Sequence, residues 1–239
     1  MDLVSIEDWA ADVELLSDLI VEAEDIKAFL DGLAGVAATM MSRATGQRIE
    51  CAVTLGRRKR TGTIGGSTAT AVVLDRIEQS LSEGPCIDAL AEARPVLLRD
   101  AESAPRWPLY SSALRAAGVR SALAVPMALE EEASAVLNFF SPAAGTFTHA
   151  SVMQAATFAE MASKALRLAT RITALNELAE DLDAALKSRS VINTACGVII
   201  SQNRCTQEEA FNILRKASSD RNQKLFELAK AVVDGVCRT

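Results

Sequence analysis

The sequence predicts an α+β fold in which an antiparallel sheet flanked by helices precedes a long helix and a small three-helix bundle. Three observations support this prediction. Strand-like segments in the first 141 residues are separated by helical segments without a regular strand–helix–strand alternation, which is typical of an antiparallel sheet. No strand pattern returns after His149. The stretch 150–196 contains neither Pro nor Gly and has helical periodicity throughout.

The composition is that of a globular protein, since 49% of the 239 residues are hydrophobic and 23% are charged. This excludes extensive disorder and a collagen-like repeat. The five cysteines are scattered without a CxxC pair, which indicates reduced thiols in a cytoplasmic protein. The acidic N-terminus does not match a secretory signal, and no apolar run reaches the roughly 18 residues of a membrane span. We therefore expect a cytoplasmic location without membrane contact.

The helices of the first half are predicted from apolar spacing and from their end signals. Residues 2–25 carry nine acidic and no basic residues, with apolar residues at helical spacing. This predicts a short acidic helix followed by a longer one that ends near Ser42. Residues 70–91 also have a helical pattern, which Gly84-Pro85 divides into two helices because Pro is tolerated in a first helical turn.

The strands are predicted from alternating apolar residues. They cover 47–55, 61–64, 95–99, 119–127 and 133–140. The basic run at 57–60 predicts a charged hairpin tip, with a phosphate-binding patch as the alternative. A helix over 110–117 ends at Gly118, which is the usual left-handed stop. The acidic turn at 130–132 joins the last two strands into a hairpin.

The long helix carries a narrow apolar seam. Its second half repeats apolar residues at spacings of three and four, at Ile172, Leu175, Ala179, Leu182 and Leu186. A helix of this length cannot bury such a seam by itself, and a parallel two-stranded coiled coil would bury it. The alternative is packing back onto the sheet domain. We expect the first half of the helix to pack on the sheet and the second half to form a homodimer, with a monomer as the other possibility.

The charge of the chain is unevenly distributed. The first 186 residues contain 16 basic and 26 acidic residues, whereas residues 187–239 contain nine basic and five acidic ones. A basic tail behind an acidic body indicates contact with a polyanion. Solvated helix faces would produce the same imbalance, and charge alone does not separate the two interpretations.

The tail is predicted to form three short helical faces that close a core of its own. Residues 191–200 supply the first face. Thr206 and Glu209 have the spacing of a capping box at the start of the second helix, and apolar residues from Leu225 onward supply the third. Phe211 falls near the predicted buried stripe, so we expect nucleic-acid recognition to be polar, without stacking on an aromatic side chain.

Motifs that would indicate an enzyme are absent, since the chain has no GxSxG, Walker or GxGxxG sequence. The single histidine also excludes a two-histidine metal site unless a second subunit contributes. We expect no catalytic residues, no cofactor and no metal site. Cys86 follows Gly84-Pro85 near a predicted helix N-terminus, where the pKa of a thiol is lowered. It is either redox-sensitive or a small core residue, and Trp107 either covers a pocket or anchors the core.

Longer motifs in the first two thirds match a known family. Residues from about 26 to 168 resemble a GAF domain. The matching segments are EGPCIDAL at 83–90, PVLLRD at 95–100, the Trp107-Pro108 loop, GVRSALAVPM at 118–127, VLNFFS at 136–141 and Thr146-Phe147-Thr148 before the last helix. The resemblance implies a sensor domain with an unidentified small-molecule ligand.

The tail resembles a second family. Residues from about 178 to 237 are similar to an ANTAR domain, the three-helix RNA-binding module of antitermination regulators. The matching segments are ALKSRSVINTACGVII at 185–200, EEAFNILRKAS at 208–218 and NQKLFELAKAVV at 222–233. The combination resembles the actinobacterial GAF–ANTAR regulators. It divides the chain into an acidic N-terminal helix (1–25), a GAF-like domain (26–168), a coiled-coil linker (169–186) and an ANTAR-like domain (187–239).

The combined resemblance implies a dimer that binds tandem stem-loops in nascent transcripts and prevents a terminator hairpin from forming. The positions expected to contact RNA are Lys187, Arg189, Arg215, Lys216, Ser218, Arg221, Asn222 and Lys224. Ligand binding between the sheet and its helices would change the packing or register of the long helix. The alternative function is a small-molecule or redox sensor whose helical tail contacts a protein partner.

Overall fold

The computed structural model describes residues 6–57, 60–129 and 133–236. The chain divides into two compact units, Met1–Thr173 and Ala174–Thr239. The elements in chain order are α1 (Ile6–Glu22), α2 (Ile26–Thr45), β1 (Glu50–Arg57), β2 (Arg60–Gly66), α3 (Ala69–Leu81), α4 (Pro85–Glu92), β3 (Val96–Leu98), α5 (Pro108–Ala116), β4 (Ser121–Met127), β5 (Ala133–Ser141), α6 (His149–Asn203), α7 (Gln207–Asp220) and α8 (Leu225–Val236).

The predicted fold class is confirmed. The first unit contains one five-stranded sheet in the order β2-β1-β5-β4-β3, and every neighbouring pair is antiparallel. Val53 pairs with Leu137, and Leu123 pairs with Phe139. Because side chains alternate along a strand, these four residues belong to one face of the sheet.

The sheet separates two hydrophobic cores. The face with Val53 and Phe139 packs against α1, α2 and the first part of α6, where Phe158 is fully buried. This confirms that the first half of the long helix packs on the sheet. The opposite face, which includes Ala52 and Phe140, is covered by α3, α4 and α5. Both sides of the sheet are therefore closed by helices.

The predicted end signals have the expected geometry. Asp25 caps α2 by accepting a 2.7 Å hydrogen bond from the backbone N–H of Ala28, and α2 continues to Thr45, three residues beyond the predicted end. Pro85 stands in the first turn of α4, and Gly118 has φ +78° after α5. In the hairpin tip at 57–60, residues 58 and 59 lie outside the described residues, as does the acidic turn at 130–132.

Helix α6 runs seven residues past Cys196, where the Pro- and Gly-free stretch ends, and includes Gly197, at which an added Cβ would meet no heavy atom within 4 Å. Its burial changes along its length. Ala162 and Leu166 are fully buried, whereas Leu175 and Leu186 are 65% and 66% exposed. The predicted seam is therefore uncovered in the single chain from Leu175 onward, and Ile172 is half-buried.

The second unit has its own core, formed by the end of α6 together with α7 and α8. Its fully or nearly fully buried residues are Ala195, Cys196, Ile199, Ala210, Leu214, Leu228 and Ala229. The predicted capping box is present. The Thr206 hydroxyl accepts from the Glu209 backbone N–H at 3.3 Å, and the Glu209 carboxylate accepts from the Thr206 backbone N–H at 2.8 Å. Both bonds satisfy donors that a helix start leaves unpaired.

Candidate functional site

The turn between α7 and α8 is held by hydrogen bonds within the chain. The backbone N–H of Gln223 donates to the Ser218 carbonyl at 3.0 Å, and that of Asn222 donates to the Ser219 carbonyl at 3.1 Å. The Ser218 hydroxyl donates to the Gln223 carbonyl at 2.5 Å. Asn222 has φ +49°, a left-handed conformation that Asn tolerates better than most residues. The turn is therefore ordered by its own residues.

Four of the expected RNA-contacting cations surround this turn. They are Arg215, Lys216, Arg221 and Lys224, and the amide side chain of Asn222 lies among them. All five side chains are exposed, and within the described part of the chain none of the four cations forms an ion pair. The end of α7 and the start of α8 thus present positive charge from a stretch of ten residues.

Ser218 belongs to the same turn but has a different role. It is half-buried, and its hydroxyl is already engaged with the Gln223 carbonyl. Its contribution to an interface is to hold the backbone on which the neighbouring cations stand.

Lys187 and Arg189 are exposed on α6, and they are not joined to the turn by any hydrogen bond or ion pair among the described residues. Lys187 forms an ion pair with Asp183 one helical turn earlier, at 2.6 Å. An exposed pair of this type contributes little stability and can exchange its partner. The structure therefore assembles part of the expected set at one turn and leaves these two residues on the long helix.

The sequence-based placement of Phe211 near the buried stripe is wrong. Phe211 is 39% exposed, and Ile213 on the same helix is 46% exposed. The core face of α7 is narrower than predicted and contains Ala210 and Leu214. Phe211 and Arg215 are four residues apart and share one face of α7. Charge and an aromatic surface are thus combined on this helix.

In the first unit, which the resemblance to GAF domains predicts to be a sensor and which is called the sensor unit below, Trp107 anchors the core and does not form a free lid. Its ring is buried, and its indole N–H donates to Asp88 Oδ2 at 2.9 Å. Arg106 stacks over the ring at 4.9 Å from the centroid and pairs with Asp88 and Glu92, each at 2.8 Å. This arrangement joins the loop before α5 to α4.

The expectation that the position of Cys86 lowers the pKa of its thiol is wrong. Cys86 is fully buried. Burial raises the pKa of the Cys86 thiol far above its ordinary value, and the carboxylates of Glu78 and Asp75 raise it further. The helix N-terminus does not compensate, because the Cys86 backbone N–H is already bonded to Glu78 Oε1 at 2.5 Å. This buried environment favours the protonated thiol over a reactive, accessible thiolate.

Sequence reasoning missed the polar cluster to which Cys86 belongs. Asp75, Glu78 and Cys86 are all buried, and one ligand atom of each lies within 4.8 Å of the others. Thr54 Oγ1 donates to Asp75 Oδ2 at 2.7 Å, and Asn138 Nδ2 donates to Asp75 Oδ1 at 2.5 Å. The sequence feature that could have revealed this cluster is the spacing of Asp75 and Glu78, which are three residues apart and therefore lie on the same face of α3 as its apolar residues.

Burial also governs the two carboxyl groups. It raises the pKa of Glu78 to about 8, with a further increase from the nearby Asp75 and a partial decrease from the Cys86 backbone N–H. Burial likewise raises the pKa of Asp75, although the hydrogen bonds from Thr54 and Asn138 oppose the increase. Asp75, Glu78 and Cys86 therefore share an acidic environment that is buried between α3, α4 and the sheet.

Comparison with family models identifies both units. A GAF domain model matches residues 23–167, and an ANTAR domain model matches residues 180–233. No match was found among curated proteins. None of the described helices is both long and apolar enough to traverse a lipid bilayer.

Several solved structures are similar to this chain at low sequence identity. The N-acylhomoserine lactone-dependent LuxR family transcription factor CepR2 from Burkholderia cenocepacia is 17% identical with a TM-score of 0.51, covering 69% of this chain and 98% of that one. The free methionine-R-sulfoxide reductase from Neisseria meningitidis is 18% identical with a TM-score of 0.47, covering 72% and 97%. The GAF domain of an Acinetobacter phosphoenolpyruvate-protein phosphotransferase is 16% identical with a TM-score of 0.48, covering 70% and 97%.

Proposed function

The chain belongs to the GAF domain family and carries an ANTAR domain behind it, and from this premise we propose that it is a dimeric regulator that binds tandem stem-loops in nascent transcripts. ANTAR domains are RNA-binding antitermination modules, and GAF domains are sensors. Occupying two adjacent stem-loops would keep the transcript from forming a terminator hairpin. The proposed role is regulatory and includes no catalytic step.

The observation that carries this function is the exposed, unpaired set of cations at the turn between α7 and α8. Phosphate groups of folded RNA attract such cations, and each contact releases condensed counterions. Arg215 and Arg221 can donate two hydrogen bonds to one phosphate, and Asn222 can bind a base edge. The hydrogen bonds of the turn hold these side chains on an ordered backbone, which lowers the entropy lost on binding.

The exposed seam on α6 supports the dimeric part of the proposal. Leu175, Leu182 and Leu186 are each more than half exposed in the single chain. Leucines repeated at heptad spacing are buried when two such helices pair. Two chains joined through this seam would supply two RNA-binding units to one transcript, which increases the apparent affinity for paired stem-loops.

Control by the sensor unit would act through α6, which belongs to the hydrophobic cores of both units. Helix α6 contributes Phe158 to the core of the first unit and Ala195 to the core of the second. A ligand that changes the packing of the first part of α6 would alter the register of the paired seam. Cross-linking of cysteines introduced at Leu175 and Leu182 should differ with and without such a ligand.

The test of the proposed function is titration of labelled RNAs with one or two stem-loops at several salt concentrations. The two-stem-loop RNA should bind more tightly, and affinity should fall as salt rises. Arg215→Ala should weaken binding about 5- to 10-fold and reduce the logarithmic salt slope by about 0.7–0.9 per binding unit, because one phosphate contact is lost. Arg94→Ala, which removes an exposed arginine of the sensor unit, should change neither quantity.

A salt-insensitive interaction, or an absence of RNA binding, would contradict the proposed function. The second candidate is then a sensor whose tail contacts a protein partner. The exposed Ile213 favours it, since an isoleucine on a helix surface suits a protein interface better than a phosphate backbone. A partner that protects α7 from hydrogen exchange while RNA does not would support this second function.

A further inference from the structure

We propose that Asp75, Glu78 and Cys86 form a buried binding site for one divalent cation of the zinc type inside the GAF domain. Neither family match assigns such a site. All three residues belong to the sensor unit, so metal binding can be tested whether or not the second unit binds RNA.

The backbone brings the three ligand groups together from two helices. Asp75 and Glu78 lie on one face of the 13-residue helix α3, and Cys86 lies in the first turn of α4. The connecting loop passes directly against the Glu78 carboxylate. Gly84 has φ +148°, and a Cβ at this position would lie 2.2 Å from Glu78 Oε1. Only glycine permits this approach, which places Cys86 beside the two acids.

The ligand spacing is close to what a tetrahedral ion requires. The carboxylate oxygens and the Cys86 Sγ all lie within 4.8 Å of one another. Zinc binds oxygen at about 2.0 Å and thiolate sulfur at about 2.3 Å, so its ligands are separated by roughly 3.3–3.7 Å. Binding an ion would therefore draw these ligand atoms together by up to about 1.5 Å.

A second observation also indicates a ligand at this position. The Tyr110 hydroxyl and the Asn138 Oδ1 are buried without a hydrogen-bond partner of normal geometry, and Tyr110 is 0% exposed. Burial raises the pKa of the Tyr110 hydroxyl, and the charge and side-chain contact of Glu78, followed by the charges of Asp75 and Cys86, raise it further, so the hydroxyl lies close to these three groups. Glu83 holds this tyrosine in place by accepting from the backbone N–H groups of Leu109 and Tyr110, at 2.8 and 3.0 Å.

Unpartnered buried polar atoms are rare because each costs free energy. Tyr110 supplies an oxygen for a fourth coordination position. Asn138 already donates to Asp75 and fixes the orientation of that carboxylate. Side chains that orient a metal ligand by a hydrogen bond are common around protein-bound metals.

The charge of the site favours a cation. In the described part of the chain, the hydrogen bonds to these groups come from neutral donors, which are Thr54, Asn138, Gln79 and the Cys86 backbone N–H, and no Lys or Arg forms an ion pair with Asp75 or Glu78. Three acidic groups buried together must bind either protons or a metal ion. A divalent cation would displace these protons and leave a net charge near −1 on the three ligands, with Tyr110 protonated.

The set of ligand atoms selects the class of ion. A thiolate together with two carboxylates suits zinc, or cobalt as its spectroscopic substitute. Magnesium and calcium prefer six or more oxygen ligands and bind thiolate poorly. We therefore expect zinc and cobalt to bind and magnesium and calcium not to compete.

The experiment uses the full chain, freed of metal with a chelator under reducing conditions and titrated with Co²⁺ and Zn²⁺. One Co²⁺ per chain should bind and give a thiolate-to-cobalt charge-transfer band. Cys86→Ser should abolish this band and weaken Zn²⁺ binding at least 100-fold, measured by competition with a chromophoric chelator. Glu78→Gln, which keeps the shape and the acceptor oxygen for the Cys86 backbone N–H, should weaken it at least 10-fold.

The matched control removes Cys196 and Cys205, two thiols of the second unit; Cys205 is close enough to raise the pKa of the Cys196 thiol in addition to burial. The double serine variant should retain Zn²⁺ binding within twofold. A chain that binds no Zn²⁺, or that binds it equally after Cys86→Ser and Glu78→Gln, would overturn the proposed site. If Cys86→Ser fails to fold by circular dichroism, Glu78→Gln decides the outcome.

Discussion

The Ser218 hydroxyl donates a 2.5 Å hydrogen bond to the Gln223 carbonyl, while the Gln223 backbone N–H donates to the Ser218 carbonyl at 3.0 Å. These reciprocal bonds close the turn between α7 and α8 from both sides. The exposed Arg221, Asn222 and Lys224 stand on or next to this turn. The geometry of the candidate RNA interface therefore depends on a serine whose own side chain faces inward.

Ser218→Ala should loosen this turn without changing its charge. A lost side-chain hydrogen bond costs about 1 kcal/mol, so hydrogen exchange of the Asn222 and Gln223 amides should accelerate about fivefold. RNA affinity should decrease by a similar factor, with an unchanged salt slope because every cation remains. Ser219→Ala is the matched control, since the Ser219 hydroxyl makes no hydrogen bond within the described residues. Equal exchange rates in both variants would contradict the structural role of Ser218.

Phe211→Ala should weaken binding to RNA hairpins with unpaired loop bases. Phe211 is exposed on the same face of α7 as Arg215, and stacking of one base on an aromatic ring contributes about 1–3 kcal/mol. The expected loss is about 5- to 150-fold, with the salt slope unchanged. Phe211→Trp should restore affinity.

Ile213→Ala is the control for Phe211, because Ile213 is equally exposed on α7 but has no π surface to stack. It should leave affinity within twofold. If Phe211→Ala behaves like Ile213→Ala, recognition is purely polar, as the sequence first indicated.

Leu182→Asp should separate the dimer. The substitution places a charge in the centre of the exposed seam on α6, where pairing of two helices would otherwise bury the leucine. Sedimentation equilibrium should show the monomer, and preference for two stem-loops over one should disappear while binding to a single stem-loop remains. Ala184→Asp introduces the same charge two residues away, outside the seam, and should preserve the dimer. A wild-type chain that is already monomeric would refute the predicted seam.

The stability of the metal-free sensor unit should decrease as the pH rises above about 4.5. In the folded chain, burial raises the pKa of Glu78 from 4.5 to about 8, so folding favours the protonated acid. The unfolded chain loses this proton near pH 4.5, and the folded chain retains it until pH 8. The lost stability is on the order of 5 kcal/mol across this interval. Asp75 adds to the decrease, because its pKa is also raised.

Glu78→Gln should remove most of this dependence, and denaturant unfolding at pH 5, 6.5 and 8 would measure it. Cys86 and Tyr110, the other titratable groups that face Glu78, have pKa values raised above their ordinary ones and so stay protonated throughout this range. A wild-type unit whose unfolding midpoint is constant from pH 5 to 8 would show that the Glu78 carboxyl is not the proton-binding group.

Features that depend on neighbouring residues in the chain were predictable. The capping box of Thr206 and Glu209 and the division of residues 70–91 by Gly84-Pro85 follow from local hydrogen bonds and allowed backbone angles. The grouping of cations around Asn222 is also local, since a turn brings together residues that are close in sequence. These parts of the candidate interface needed no knowledge of distant contacts.

Features that depend on burial by distant segments were not predictable. The apolar spacing of α7 places Phe211 near the predicted buried stripe, but the width of the buried face is set by how α6 and α8 pack on this helix. Helix position alone favoured a lower pKa for the Cys86 thiol. Removal of water and the presence of Glu78 outweigh the helix terminus and raise it instead.

By itself, the sequence determined the order of helices and strands, the heptad seam and the basic turn, because periodicity and backbone preferences act over a few residues. Only the tertiary structure decided which polar groups share a buried space. Asp75 meets Asn138 across 63 positions of the chain, and Glu78 meets Cys86 because a glycine loop turns back against it. The desolvation of a polar group depends on all the segments that cover it, and these segments come together only when the chain folds.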